Sequence, residues 1–211
     1  MAAVARIGEF RHGRVPRELR RQQLVELGEQ LFAERGFTKT SMDELARRAG
    51  VTKPIIYELF GSKDGLFEAC LEGLALRLAG SIADAARGAD EAGRGDGPPT
   101  SADPEARLRA GGLAFLRFAA DNRVAYELLY EGRFSDAAVR VRKRQAALIL
   151  ELMKEIAPRD VDPRELEVAA HAVNSAYEGV AQWMWDHPEM DVEQLADWTV
   201  EVLLPGLRRF T

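Results

Sequence analysis

The sequence predicts an all-α protein of about nine helices. Three observations carry that reading. Apolar residues recur at steps of three and four in window after window, as in Leu24, Leu27, Gly28, Leu31 and Phe32. No segment alternates apolar and polar residues with period two, and no tight hairpin signal joins two apolar runs. Helix punctuation recurs: Asp-Pro stands at 103–104 and at 162–163, and glycines close apolar runs at Gly36, Gly50 and Gly61.

The composition sets outer bounds. With 211 residues and 46% hydrophobic content, the chain can build one large core or two small ones, and disorder throughout is excluded. One cysteine, Cys70, excludes a disulfide scaffold. No run approaches about 18 uncharged apolar residues, so no membrane span is expected. The opening MAAVARIGEFRHGR lacks the apolar core of a signal peptide, which makes the cytoplasm the expected location. The net charge of −5 is unevenly spread: residues 1–63 sum to +4 and residues 64–211 to −9. That asymmetry fits a polyanion partner for the N-terminal third, or simply an unevenly charged surface.

Residues 1–15 read as a flexible basic arm, a stretch that minor-groove contacts would suit. Pro16 fits the first position of a helix that ends before Gly36. Thr40 or Ser41 caps a short second helix, with Met42, Leu45, Ala46 and Ala49 facing inward and Gly50 stopping it. Thr52 caps a third through Pro54, Ile55, Ile56, Tyr57 and Phe60, and Gly61-Ser62 breaks it. Ser62 caps a long fourth helix to about Arg87, with Cys70 on its apolar face. Residues 88–103 are rich in Gly, Pro, Asp and Ser and are expected to form a mobile loop. Five further helical patterns follow. They run from Asp103-Pro104 to about Asp121, over roughly 123–131, from Ser135 or Asp136 towards Pro158, from Asp162-Pro163 to about Trp185, and from Asp191 to about Arg209. Pro205 should bend or end the last.

The two short helices joined by Ala49-Gly50-Val51-Thr52 form a helix-turn-helix candidate, whose second helix would lie in a DNA major groove. Thr40 and Ser41 sit at a helix N-terminus, where hydroxyls and backbone amides can hold a phosphate. Arg47 or Arg48 can reach a neighbouring phosphate or base edge. Thr52 and Lys53 open the recognition helix. Pro54 and Ile55 lack polar tips and would read a thymine methyl or groove shape. Tyr57 is within reach of a phosphate oxygen one turn on, or packs half-buried. Lys63 meets the backbone again, or is plain surface charge.

The ordered set Gly36-Phe37, Thr40-Ser41, Ala46, Ala49-Gly50-Val51 and Tyr57-x-x-Phe60-x-x-Lys63 resembles the DNA-binding domain of the TetR family of bacterial transcription regulators. The resemblance implies that Tyr57 and Lys63 contact phosphate and that the start of the recognition helix reads bases. Ile55 departs from it, standing where a small or polar residue is common. That leaves Lys53 as the chief polar base reader. The resemblance also implies domains at 16–63 for DNA and 64–211 for effector binding and dimerisation.

The resemblance further implies dimerisation through the last two helices. Their apolar positions include Val168, Ala169, Ala172, Val173, Ala176, Val180 and Trp183, then Leu195, Trp198, Val202 and Leu203. A two-fold dimer would place two recognition helices about 34–36 Å apart, or more, on a palindromic operator. For the effector, Phe115, Phe118, Tyr126 and Tyr130 supply an aromatic cluster, and His171, Asn174 and Tyr177 supply directed polar groups. The same stripe would serve as ordinary core.

Nothing in the sequence supports an enzyme. There is no glycine-rich phosphate loop, no nucleophile elbow and no clustered Cys/His set, so neither a cofactor nor a metal is expected. The expectation is a homodimeric repressor that a small-molecule effector releases from double-stranded DNA. An architectural DNA binder without effector, or a small-molecule binder without operator, would share most of these features.

Overall fold

The computed structural model describes residues 15–92, 103–123, 126, 136–155, 157–158 and 160–210. Among the described residues there are eight α-helices and no strand. They are α1 (Arg17–Lys39), α2 (Met42–Ala49), α3 (Lys53–Phe60), α4 (Lys63–Ala92), α5 (Pro104–Asp121), α6 (Asp136–Lys154), α7 (Pro163–Asp186) and α8 (Val192–Leu207). A 3₁₀ turn at Arg208–Phe210 follows α8. The basic arm, Tyr130 and most of the expected helix at 123–131 lie outside the described residues.

The helix starts obey the capping chemistry. Ser41, Asp103, Asp162 and Asp191 each occupy an N-cap, and each side-chain oxygen accepts from a backbone N–H two or three residues on. Three boundaries differ from expectation. Pro16 is the N-cap of α1, not its first helical residue. At Gly36 (φ 74°) the backbone leaves the helix, and one more turn follows to Lys39. α4 continues five residues past Arg87, because Ala89, Glu91 and Ala92 are good helix formers that outweigh one glycine. The expected loop from 88 is therefore helical to Ala92.

Two compact units divide the chain: Met1–Leu74 with Val124–Ala138, and Ala75–Arg123 with Val139–Thr211. The division falls inside α4, about three turns later than the expected boundary at residue 63. The reason is the N-terminal core, which takes in Leu66, Ala69 and Cys70 from α4 together with Leu24, Leu31, Phe32, Leu45 and Ile56. Gly28 lets α1 and α4 approach here, since a Cβ would lie 3.0 Å from the Cys70 sulfur. The buried Cys70 thiol faces the Val25 carbonyl at 3.5 Å. Phe32, Phe37 and Phe67 form an aromatic cluster with centroids 5.0–5.9 Å apart.

In the second unit, α5 packs chiefly against α8 and then α7, and α7 also meets α8. Pro205 stays inside α8 without ending it, and the helix stops two residues later.

α3 contributes one fully buried residue, Ile56, at 0% exposure. Ile56→Ala should therefore cost about 2–5 kcal/mol in urea denaturation, the range for truncating a buried isoleucine.

Candidate nucleic-acid interface and ligand cavity

The turn between α2 and α3 is built by its glycine. Gly50 adopts φ 64°, and the Val51 N–H donates to the Ala46 carbonyl at 3.0 Å. Both close the C-terminus of α2 as left-handed caps do. Gln23 of α1 donates from its side chain to the Ala49 carbonyl, tying the turn to the buried end of the first helix. Thr52 then takes the N-cap position of α3 with no side-chain cap bond, and the residue is exposed.

Thr52, Lys53, Pro54, Ile55 and Tyr57 are all exposed, on a helix whose buried residue is Ile56. Large apolar side chains are costly to leave in water, yet Ile55 is 36% and Tyr57 41% exposed. Ser41 is exposed at the start of α2, where its hydroxyl oxygen accepts from the Asp43 N–H at 3.2 Å. These are exposed positions of α2 and α3, the two helices of the helix-turn-helix.

Thr40 is placed otherwise. It is 4% exposed, and its hydroxyl donates to the Gly36 carbonyl at 2.8 Å and the Leu31 carbonyl at 3.2 Å. The kink at Gly36 frees carbonyls that a nearby hydroxyl must satisfy, so Thr40 turns inward and Ser41 alone caps α2.

Arg48 and Lys53 are tied to carboxylates. Arg48 forks onto both oxygens of Glu34, at 3.0 and 2.7 Å, and also reaches Glu44 at 3.0 Å. That pairing lowers the Glu34 pKa below the ordinary carboxylate value. Lys53 donates to Asp43 at 2.9 Å, a bond that raises the lysine's pKa. Lys63 donates to the Thr38 carbonyl at 3.2 Å, with its ammonium 4.6 Å from the Phe37 ring centroid. Arg47 is mostly exposed, with Glu44 at 3.8 Å. Sequence reading missed Asp43 and Glu34 as counter-ions. Glu44–Arg48 had a readable signal, the i,i+4 spacing on one helix.

The second unit holds a partly open cavity of about 100 Å³. Its lining is mainly apolar, with Arg107, Asn174 and Tyr177 as the polar members. Phe115, Asn174 and Tyr177 of the expected effector set line it. Phe118 is half-buried and outside the lining, and Tyr126 is buried in the other unit. His171 is exposed, because it lies about a third of a turn from the centre of the buried face of α7. Arg117 pairs with Glu193 on the surface, and Arg123 donates to the Trp185 carbonyl.

Sequence reading did not single out Arg107 or Gly112. Arg107 is 9% exposed and bonded to Glu155. At Gly112 a Cβ would lie 1.9 Å from the Tyr177 hydroxyl, so only glycine admits this tyrosine. Tyr177 is 3% exposed and packs on Phe115 with centroids 5.9 Å apart. Its hydroxyl has no hydrogen-bond partner among the described residues. Burial raises its pKa, so it stays a protonated donor.

The outer faces of α7 and α8 carry exposed apolar side chains: Val168 (69%), Trp183 (45%), Trp198 (47%) and Val202 (79%). Ala172 and Gly179 are exposed on the same stripe of α7, at steps of four and seven from Val168 to Trp183. Ala169, Val173 and Leu195 belong instead to the interior. No group of three His, Cys, Asp or Glu residues able to hold a metal occurs among the described residues. No described helix is long and apolar enough to cross a membrane.

Comparison with known proteins agrees with this architecture. Residues 24–70 match the family described as bacterial regulatory proteins, tetR family, and residues 104–206 match the tetracyclin repressor-like C-terminal domain. The HTH-type transcriptional activator FasR of Mycolicibacterium smegmatis is 28% identical over 211 residues, 95% of this chain and 88% of that protein. The crystal structure of a TetR-like transcriptional regulator from Rhodococcus sp. RHA1 superposes with a TM-score of 0.63 at 30% identity, covering 92% of this chain and 99% of that one. The fatty acid degradation regulator FadR of Bacillus halodurans shares the fold, with a TM-score of 0.64 at 19% identity over 90% of this chain and 96% of its own.

Gly112→Ala should force the Tyr177 ring out of its seat. The expected cost is about 1–3 kcal/mol by overpacking, read as a lowered Tm, and Tyr177→Phe alone should not lower it.

Proposed function

The chain belongs to the TetR family of DNA-binding transcription regulators, and we propose that it acts as a homodimeric repressor released from a palindromic operator by a small-molecule effector. The observation that carries the DNA half of this reading is the exposed run Thr52, Lys53, Pro54, Ile55 and Tyr57 around a single buried Ile56. A recognition helix needs an outer face free of its own core, and this one has it.

The roles follow from chemistry. Ser41 with the first amides of α2, Tyr57 and Lys63 hold phosphates. Lys53 exchanges Asp43 for a base-edge acceptor such as a guanine oxygen. Ile55 and Pro54 meet a thymine methyl or the groove wall. Arg48 stays on Glu34 and Glu44 and braces α1 against α2. The proposed domains are 16–63, with the early turns of α4, for DNA, and the remainder for effector and dimer. The working location is the cytoplasm, where the operator is, and no catalytic role is proposed.

Dimerisation through α7 and α8 is supported by their outward apolar stripe, which a lone chain would leave in water. The effector is assigned to the cavity at Phe115, Asn174 and Tyr177. Effector binding must favour a conformation whose recognition helices no longer match the operator. A ~100-fold preference, about 2.7 kcal/mol, is enough to matter.

One observation favours a second reading of the sign: the Mycolicibacterium relative is named an activator. The DNA contacts would be unchanged, and only the operator's place relative to the promoter would differ. A reporter bearing the selected operator, with and without the protein, separates the two.

Selection of bound sequences from a random DNA pool at near-physiological salt should enrich a palindrome. Recovery of unrelated sequences would leave an architectural binder, and no recovery at low salt would remove DNA binding. On the selected operator, Lys63→Ala should weaken all sequences alike, whereas Lys53→Ala should relax discrimination at one or two base pairs. Unchanged preference in Lys53→Ala would refute the base-reading role.

The double variant Trp198→Glu with Val202→Glu should sediment as a monomer and lose operator affinity by at least about tenfold.

A further inference from the structure

If the cavity is the effector site, as proposed above, its lining narrows the ligand's chemistry. Ile82, Leu108, Phe115, Ile149, Met153 and Val173 are typical of the walls, so the bulk of the ligand must be apolar. The polar members are not equivalent. Arg107 is engaged by Glu155. The Asn174 amide donates to Glu178 at 2.8 Å. The Tyr177 hydroxyl is a neutral donor, 97% buried and seated over the cavity-lining Gly112, and it has no partner among the described residues.

Charge discriminates further. A carboxylate ligand at Arg107 would share that cation with Glu155 and set two anions side by side. A cationic ligand would meet the Arg107 charge directly. A neutral ligand disturbs neither. What the cavity lacks is an acceptor for one O–H. An unmade hydrogen bond at a buried hydroxyl is a standing cost that a ligand oxygen removes.

We propose that the cavity takes a compact, uncharged, mainly apolar molecule bearing one oxygen acceptor, of the ketone or ester kind, to which the Tyr177 hydroxyl donates. The enclosed space of about 100 Å³ is smaller than the roughly 150 Å³ void that holds a benzene. The acceptor-bearing end is therefore seated, and the remainder extends through the open side. Tyr177 sets ligand class, and Gly112 is the residue that permits it.

Three probes of nearly one shape test this on the full-length protein: 4-phenyl-2-butanone, 3-phenylpropanoate (its methyl replaced by a charged oxygen) and isopentylbenzene (its carbonyl oxygen replaced by methyl). Calorimetric titration should find the ketone bound about tenfold more tightly than either analogue. Tyr177→Phe should erase that advantage over the hydrocarbon while leaving hydrocarbon affinity and Tm intact. Three results would overturn the proposal: the carboxylate binding best, the ketone failing to bind at millimolar concentration, or Tyr177→Phe weakening ketone and hydrocarbon alike.

The DNA-pool selection, run on the same preparation, keeps the two readings apart. A palindrome with no ketone binding overturns the ligand class and leaves the regulator. Ketone binding governed by Tyr177, with no palindrome, supports the site and removes the operator.

Discussion

The recognition helix depends on one buried side chain and one left-handed glycine. α3 has eight residues, and isolated helices shorter than about 12–15 residues are marginal in water. It exists because Ile56 is sunk in the N-terminal core and because Gly50, at φ 64°, turns the chain so that Ile56 can reach it. Everything useful about α3 follows from that economy. A helix with two or three buried turns would spend Ile55 or Tyr57 on its own packing. This one leaves Lys53, Pro54, Ile55 and Tyr57 outside, and the loss of buried area is carried by α1, α2 and the first turns of α4. The N-terminal core extends into α4 for the same reason: three short helices alone would bury too little to stand.

The charges on this face sort by how firmly they are held. Arg48 makes a forked pair with Glu34 and a third contact with Glu44, and its planar donors suit that geometry. It joins α1 to α2. Lys53 has one exposed contact, to Asp43, and a flexible stem. Exposed single pairs are weak and salt-screened, so a polyanion can take Lys53 at little cost. Lys63 is intermediate, resting on a carbonyl and an aromatic face while its remaining donors stay open. Net charge would have ranked these three cations equally. Their partners do not.

How much was legible in the sequence follows the range of the interactions involved. Caps are local, so Ser41, Asp103, Asp162 and Asp191 were readable, and with them the starts of four helices. The outer face of α3 was readable because the turn and the helical period fix it. Thr40 was misjudged because its bonding depends on carbonyls freed at Gly36, a tertiary detail that no cap rule contains. His171 was misjudged because it sits near the polar residues of α7 in sequence but off their face in rotation. The outer end of α4 was misjudged from a glycine that its neighbours override. Gly112 carried no local signal at all. Its meaning comes from Tyr177, which lies 65 positions away and reaches the same point from another helix.

That last contact bears on how an effector would act at a distance. A buried hydroxyl without a partner costs about 1–3 kcal/mol, the same size as the ~100-fold preference proposed for release from an operator. A ligand that satisfies Tyr177 recovers this energy only in the conformation where Gly112 and the ring enclose it. Satisfaction of one hydrogen bond is therefore already a differential affinity between conformations, provided the alternative conformation opens the hydroxyl to water. The unit that holds the cavity begins inside α4, the helix that also supplies Leu66, Ala69 and Cys70 to the core beneath the recognition helix.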